Sequence, residues 1–80
     1  MIPDEYVFGS RHMFGSYTGD IKFARAYVNG VAQAIGGEFS LGRYDYYIGG
    51  AIKQKDDIVE IDGRDKNNEV IVPKQRIKVE

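Results

Sequence analysis

The sequence predicts an α+β fold, with a single helix packed on a strongly bent antiparallel sheet of four or five strands. Three observations carry this. Between residues 20 and 35 the apolar side chains Ile21, Ala24, Val28, Val31 and Ile35 recur at alternating spacings of three and four, the stripe of an amphipathic helix. From residue 38 onward the pattern becomes strand-like alternation. The chain has only 80 residues, the length of one domain.

Each element follows in order. Residues 1–19 form a glycine- and aromatic-rich segment in which Asp4 to Phe8 suit a short strand. In the helix expected over 20–35, Phe23 and Tyr27 widen the apolar stripe, while Lys22, Arg25, Asn29 and Gln33 line the opposite side. Thr18 or Asp20 can cap its start and Gly36-Gly37 can end it. Gly30 in the helix interior implies a close packing partner there. The antiparallel meander then runs over 38–80. Phe39 and Leu41 share a face. Tyr44, Tyr46, Ile48 and Ile52 share one face of the next strand, and Asp45, Tyr47, Lys53 and Lys55 share the other. Gly49-Gly50 marks a bend. Ile58 to Ile61 and Val70 to Val72 are strands around a polar turn at Asp62 to Asn68. Pro73 marks an edge or corner, and Ile77 and Val79 close the chain.

A helix followed by short strands, ending in the alternating run from Val70 to Val79, resembles the small barrels of the Sm and SH3-like type. The resemblance implies a fold and transfers no function.

Composition excludes several classes. The absence of cysteine removes a disulfide framework, a thiolate zinc site and a cysteine nucleophile, and fits a cytoplasmic location. The opening residues lack a basic and apolar leader pattern, so no signal peptide is expected. No apolar run is long enough for a membrane span. A net charge of −1 argues against a broad polyanion binder. Every aromatic residue lies within 1–50, whereas most charges lie within 51–80.

Three residue groups stand out. Arg43, Tyr44, Tyr46 and Tyr47 combine large rigid contact area with hydrogen-bonding tips, the chemistry of protein-binding surfaces. Arg11, His12, Ser16, Lys22 and Arg25 surround the start of the expected helix, where free N–H groups and cations suit a phosphate or nucleotide ligand. Lys53, Lys55, Lys74, Arg76 and Lys78 repeat at two-residue spacing and suit a phosphate backbone. His12 has only Ser10, Ser16 and Asp20 near it in sequence, all on one loop, which is poor support for catalysis. Asp56, Asp57, Glu60 and Asp62 do not follow a calcium-loop spacing. No catalytic residue, metal site or cofactor is therefore expected.

The leading expectation is a small binding protein that blocks a host protein or protein complex. In size and style the chain resembles the small orphan proteins of phages and mobile elements, and that resemblance implies an anti-defence role in the host cytoplasm. Nucleotide or phosphate sequestration and nucleic-acid binding by a small barrel are the alternatives. Self-association is compatible with all three, and no membrane partner is expected.

Overall fold

The segment 20–35 folds as a β-hairpin, and the computed structural model, which describes residues 1–80, is all-β. Its eight strands are β1 (Ile2–Pro3), β2 (His12–Ser16), β3 (Phe23–Val28), β4 (Val31–Gly36), β5 (Glu38–Ser40), β6 (Arg43–Tyr47), β7 (Val59–Arg64) and β8 (Val70–Ile77). The expected helix, and with it the α+β class, is overturned by local chemistry. Val28-Asn29-Gly30-Val31 is a two-residue hairpin whose central residues have φ of 51° and 81°. Positive φ at both positions is the type I′ geometry that Asn-Gly favours, and it matches the twist of paired strands. Burial along β3 has a period of two: Ala24, Ala26 and Val28 are buried, while Arg25 and Tyr27 point outward. Val31 and Ile35, which completed the helical stripe, are 63% and 40% exposed.

The strands form two four-stranded sheets, ordered β1-β2-β6-β5 and β4-β3-β7-β8, with every pair antiparallel. A parallel bridge between Tyr6 and Val79 ties the two ends of the chain together. The sheets are separate layers, so the bent single sheet and the small barrel are both corrected to a sandwich. Gly36-Gly37, expected to stop a helix, is where the chain leaves the second sheet for the first. Gly37 has φ of 103°, and a Cβ there would press on Phe39 at 3.1 Å. The polar turn is shorter than expected, because Asp62, Gly63 and Arg64 belong to β7.

The two inner faces are complementary in size. The first sheet contributes Met13, Tyr44 and Tyr46, and the second contributes Ala24, Ala26, Val28, Val59, Ile61 and Ile77. Small side chains opposite large ones let the layers interdigitate at native density. Gly15 faces Tyr44 across the β2–β6 ladder, and a Cβ there would overlap the Tyr44 ring. Phe39 stacks on the other side of Tyr44, with centroids 5.3 Å apart and planes 20° from parallel.

The register of β3 and β4 shifts between Arg25 and Tyr27, which opens the ladder at Ala26. The Tyr46 hydroxyl fills the opening. It accepts from the Ala26 N–H at 3.3 Å and donates to the Ala34 carbonyl. Its neighbour Tyr44 is equally buried, but its hydroxyl has no hydrogen-bond partner. Burial pushes the pKa of both phenols above the ordinary tyrosine value.

The β5–β6 hairpin turns at Leu41-Gly42 with φ of 52° and 80°. Leucine is a poor fit to this conformation, and Leu41 is 99% exposed, so no packing offsets the strain. Leu41→Asn should raise stability by about 1 kcal/mol, because asparagine tolerates the left-handed region. A shift of the urea midpoint to higher concentration checks this.

At the opposite end the β3–β4 turn is bound to the 53–58 loop. Asn29 donates its backbone N–H to the Ile58 carbonyl (2.7 Å) and accepts the Ile58 N–H on its side-chain oxygen (2.9 Å). Its Nδ2 donates to Asp57 Oδ1 at 3.1 Å. Asp57 Oδ2 accepts the backbone N–H groups of Lys53 and Gln54 at 2.8 and 3.2 Å. These donors, the Asn29 amide first, hold the Asp57 carboxyl below its ordinary pKa. A depressed folded value means that the stabilisation is present above the unfolded pKa and is lost as pH falls through the folded one. Stability should therefore decline on acidification below about pH 4, and Asp57→Asn should flatten that decline. Urea midpoints measured across this range check it.

Candidate functional site

Strand alternation sends every second side chain of β2 and β6 outward, and the β2–β6 register brings these side chains together. His12 lies opposite Tyr47, Phe14 opposite Asp45, and Ser16 opposite Arg43. On the outer face of the first sheet His12 Nδ1 meets Asp45 Oδ1 at 2.7 Å. The His12 ring stacks beside Phe14 (6.0 Å, 17°) and meets Tyr47 edge-on (5.3 Å, 76°). Phe14 is 47% exposed and Tyr47 is 60% exposed. β5 adds Glu38 at the register position opposite Asp45, so two acidic residues share this face beside His12. His12, Gly37, Glu38, Asp45 and Tyr47 line an open concavity of about 380 Å³.

Arg43 stands at the far end of this face, where it is held to Asp4 by Nη2–Oδ2 at 2.6 Å and Nη1–Oδ1 at 3.4 Å. The four residues first grouped as a protein-binding set are thus divided. Arg43 and Tyr47 are on the surface, whereas Tyr44 and Tyr46 are core residues with 2% exposure each.

The phosphate-binding group is not assembled, because the helix that would have gathered it does not form. His12 and Ser16 lie on β2, and Arg11 precedes that strand with its carbonyl accepting from Ile48 and Gly49. Lys22 belongs to the β2–β3 connection and shares a cavity with Asp20 and Asp65. Arg25 is on the outer face of the second sheet, where its Nε donates to the Gln33 carbonyl at 2.7 Å.

The cationic group is also divided. Lys53 and Lys55 sit in the β6–β7 connection, Lys74 and Arg76 on β8, and Lys78 just beyond it. Lys55, Arg76 and Lys78 do line one cavity, but Asp56 and Asp57 line it too. Lys78 is 3.4 Å from Glu5, Arg76 lies opposite Glu60, and Lys74 stands over the Tyr27 ring at 4.7 Å. Acids and an aromatic ring therefore already accompany most of these cations.

Sequence reasoning did not select Phe14, Glu38 or Asp45. Phe14 and Asp45 were accessible through alternation, from His12 and Tyr47 respectively. Glu38 was not, because its position depends on the β5–β6 register.

Comparison with known proteins settles what kind of domain carries this face. A family model described as a bacterial Ig domain matches residues 1–80. The chain belongs to the bacterial Ig domain family. Two antiparallel sheets packed around one shared core are the architecture of Ig-like domains. No curated protein and no solved structure matches the chain. In this Ig domain the aromatic face lies on the outside of one sheet, supported from beneath by the buried Met13, Tyr44 and Tyr46.

Proposed function

We propose that this Ig domain is a non-catalytic binding module that docks a partner protein on the outer face of its first sheet. One observation carries the reading: exposed Tyr47 lines a concavity that also holds Glu38 and Asp45, and exposed Phe14 stacks beside the His12 ring on the same face. Exposed aromatics are typical anchors of protein interfaces. Like charges directly opposite on a ladder are locally unfavourable, and a cation placed between them removes that cost. A lysine or arginine of the partner fits both features, with its stem against the Tyr47 ring and its head between the carboxylates. The same carboxylates disfavour a phosphate ligand at His12 and Ser16. Blocking the partner by occupancy, the leading expectation from the sequence, needs no more than such docking.

In this reading the His12–Asp45 pair is part of the docking face. The Ser10 hydroxyl, the closest serine in sequence, donates to the His12 carbonyl at 3.0 Å and accepts the His12 N–H at 3.2 Å, so it is engaged with backbone. The reading involves no cofactor.

The test is selection of short peptides by the immobilised domain from a displayed library, followed by affinity measurement on the winners. Enriched peptides should carry lysine or arginine, and Tyr47→Ala should weaken them by about 2 kcal/mol, near 30-fold, with little change in stability. Acidic winners, or winners indifferent to Tyr47→Ala, would overturn the reading.

A further inference from the structure

Asn29-Gly30 is the one Asn-Gly dipeptide in the chain. Both residues are exposed, and the space around Gly30 is open. The turn also fastens the 53–58 loop, through the Asn29 Nδ2 bond to Asp57 and the two bonds to Ile58. One amide side chain is thus both the latch of a loop and the group most prone to intramolecular loss of ammonia.

We propose that Asn29 is a spontaneous modification site whose deamidation unfastens the 53–58 loop from the β3–β4 turn. In the first step the Gly30 backbone nitrogen attacks Asn29 Cγ. A Cγ–N bond forms, the Cγ–Nδ2 bond breaks, and ammonia departs with the proton that was on the Gly30 nitrogen. Water then opens the cyclic imide at either carbonyl, leaving aspartate or isoaspartate at position 29. Glycine favours the closure because no side chain shields its nitrogen.

The product reverses the chemistry of the latch. A donor 3.1 Å from Asp57 Oδ1 becomes a second carboxylate, so attraction turns into like-charge repulsion. Asp57 is buried and keeps its bonds from Lys53 and Gln54, so it cannot turn away without dismantling its own loop. The isoaspartate product further lengthens the backbone of a two-residue turn.

The intact latch also sets the rate. While Nδ2 and the side-chain oxygen are both engaged, the Asn29 side chain is fixed by those bonds and is not free to turn toward the Gly30 nitrogen, so reaction proceeds through local opening. Incubation at mildly alkaline pH followed by peptide mass spectrometry measures conversion at position 29. Conversion should be several-fold faster in Asp57→Ala than in the native protein. Should that variant not fold, the native chain in urea supplies the same comparison. Asn29→Asp should lower Tm, and Asn29→Asp/Asp57→Asn should recover most of the loss, because the amide and the carboxylate have exchanged places. Conversion as fast in the native fold as in the unlatched chain would overturn the proposal. So would an Asn29→Asp protein that melts like the wild type, or a double variant with no recovery.

Discussion

Asp62→Ala is expected to lower stability by about 3 kcal/mol or more, a large share of what a domain of this size has. Asp62 lies on β7 among the outward-facing residues of the second sheet, yet it is only 1% exposed. Its Oδ1 accepts the Arg25 backbone N–H and the Arg64 Nε–H, both at 3.1 Å. Its Oδ2 accepts the Tyr27 hydroxyl at 2.8 Å and Arg64 Nη2 at 3.0 Å. Arg64 and Tyr27 thus form a roof over the carboxylate, and Lys74 stands over the Tyr27 ring. Removing the carboxylate leaves the Arg64 guanidinium, itself 11% exposed, without its anion and with only Asn68 and the Tyr27 hydroxyl as partners, and takes an acceptor from the Arg25 backbone amide. Leaving a buried charge unpaired costs far more than the intact pair contributes. Equilibrium urea denaturation of the wild type and Asp62→Ala measures the difference. A loss under about 1 kcal/mol would mean that water replaces the carboxylate without difficulty.

Two neighbouring tyrosines should respond oppositely to loss of one oxygen. Tyr46→Phe should destabilise by about 1–3 kcal/mol, because the Ala26 N–H and the Ala34 carbonyl lose the hydroxyl that bridges them. Both groups belong to the opened part of the β3–β4 ladder. Tyr44→Phe should be neutral or stabilising, since its hydroxyl is buried without a partner and its removal relieves a desolvation cost. Paired denaturation curves test this, and equal effects would contradict the assigned roles. Hydrogen exchange adds a local readout: the Ala26 amide should exchange faster in Tyr46→Phe and stay protected in Tyr44→Phe.

The sequence carried the division between Tyr44/Tyr46 and Asp45/Tyr47, because a strand has a period of two whatever the tertiary fold. It carried the hairpin at residues 28–31 as well, in Asn-Gly flanked by valines, but the three-and-four spacing of Ile21, Ala24, Val28, Val31 and Ile35 masked it. That spacing was a coincidence of two strands and a turn, and only Ile21, Ala24 and Val28 of the stripe are buried. The conformational preference of Asn-Gly, local and strong, was the better guide. The crossing between sheets at Gly37 was not legible, since a glycine pair serves equally as a helix stop. Asp62 read as part of a turn because Asp-Gly commonly is one. Its burial depends on Tyr27 and Arg64 meeting over it, which follows from β3–β7 pairing between residues far apart in the chain. The opposition of Glu38 and Asp45 likewise exists only once β5 and β6 have their register.

The docking face on the first sheet is tested most directly by NMR. Amide signals of the isotopically labelled domain would be followed while an arginine-containing peptide is added, with an acidic peptide as control. The expected result is a saturable shift confined to the neighbourhood of His12, Phe14, Glu38, Asp45 and Tyr47, absent with the acidic peptide and lost in Tyr47→Ala. Shifts centred instead on Arg25, Tyr27 and Arg76 of the second sheet, or no shift with either peptide, would contradict it.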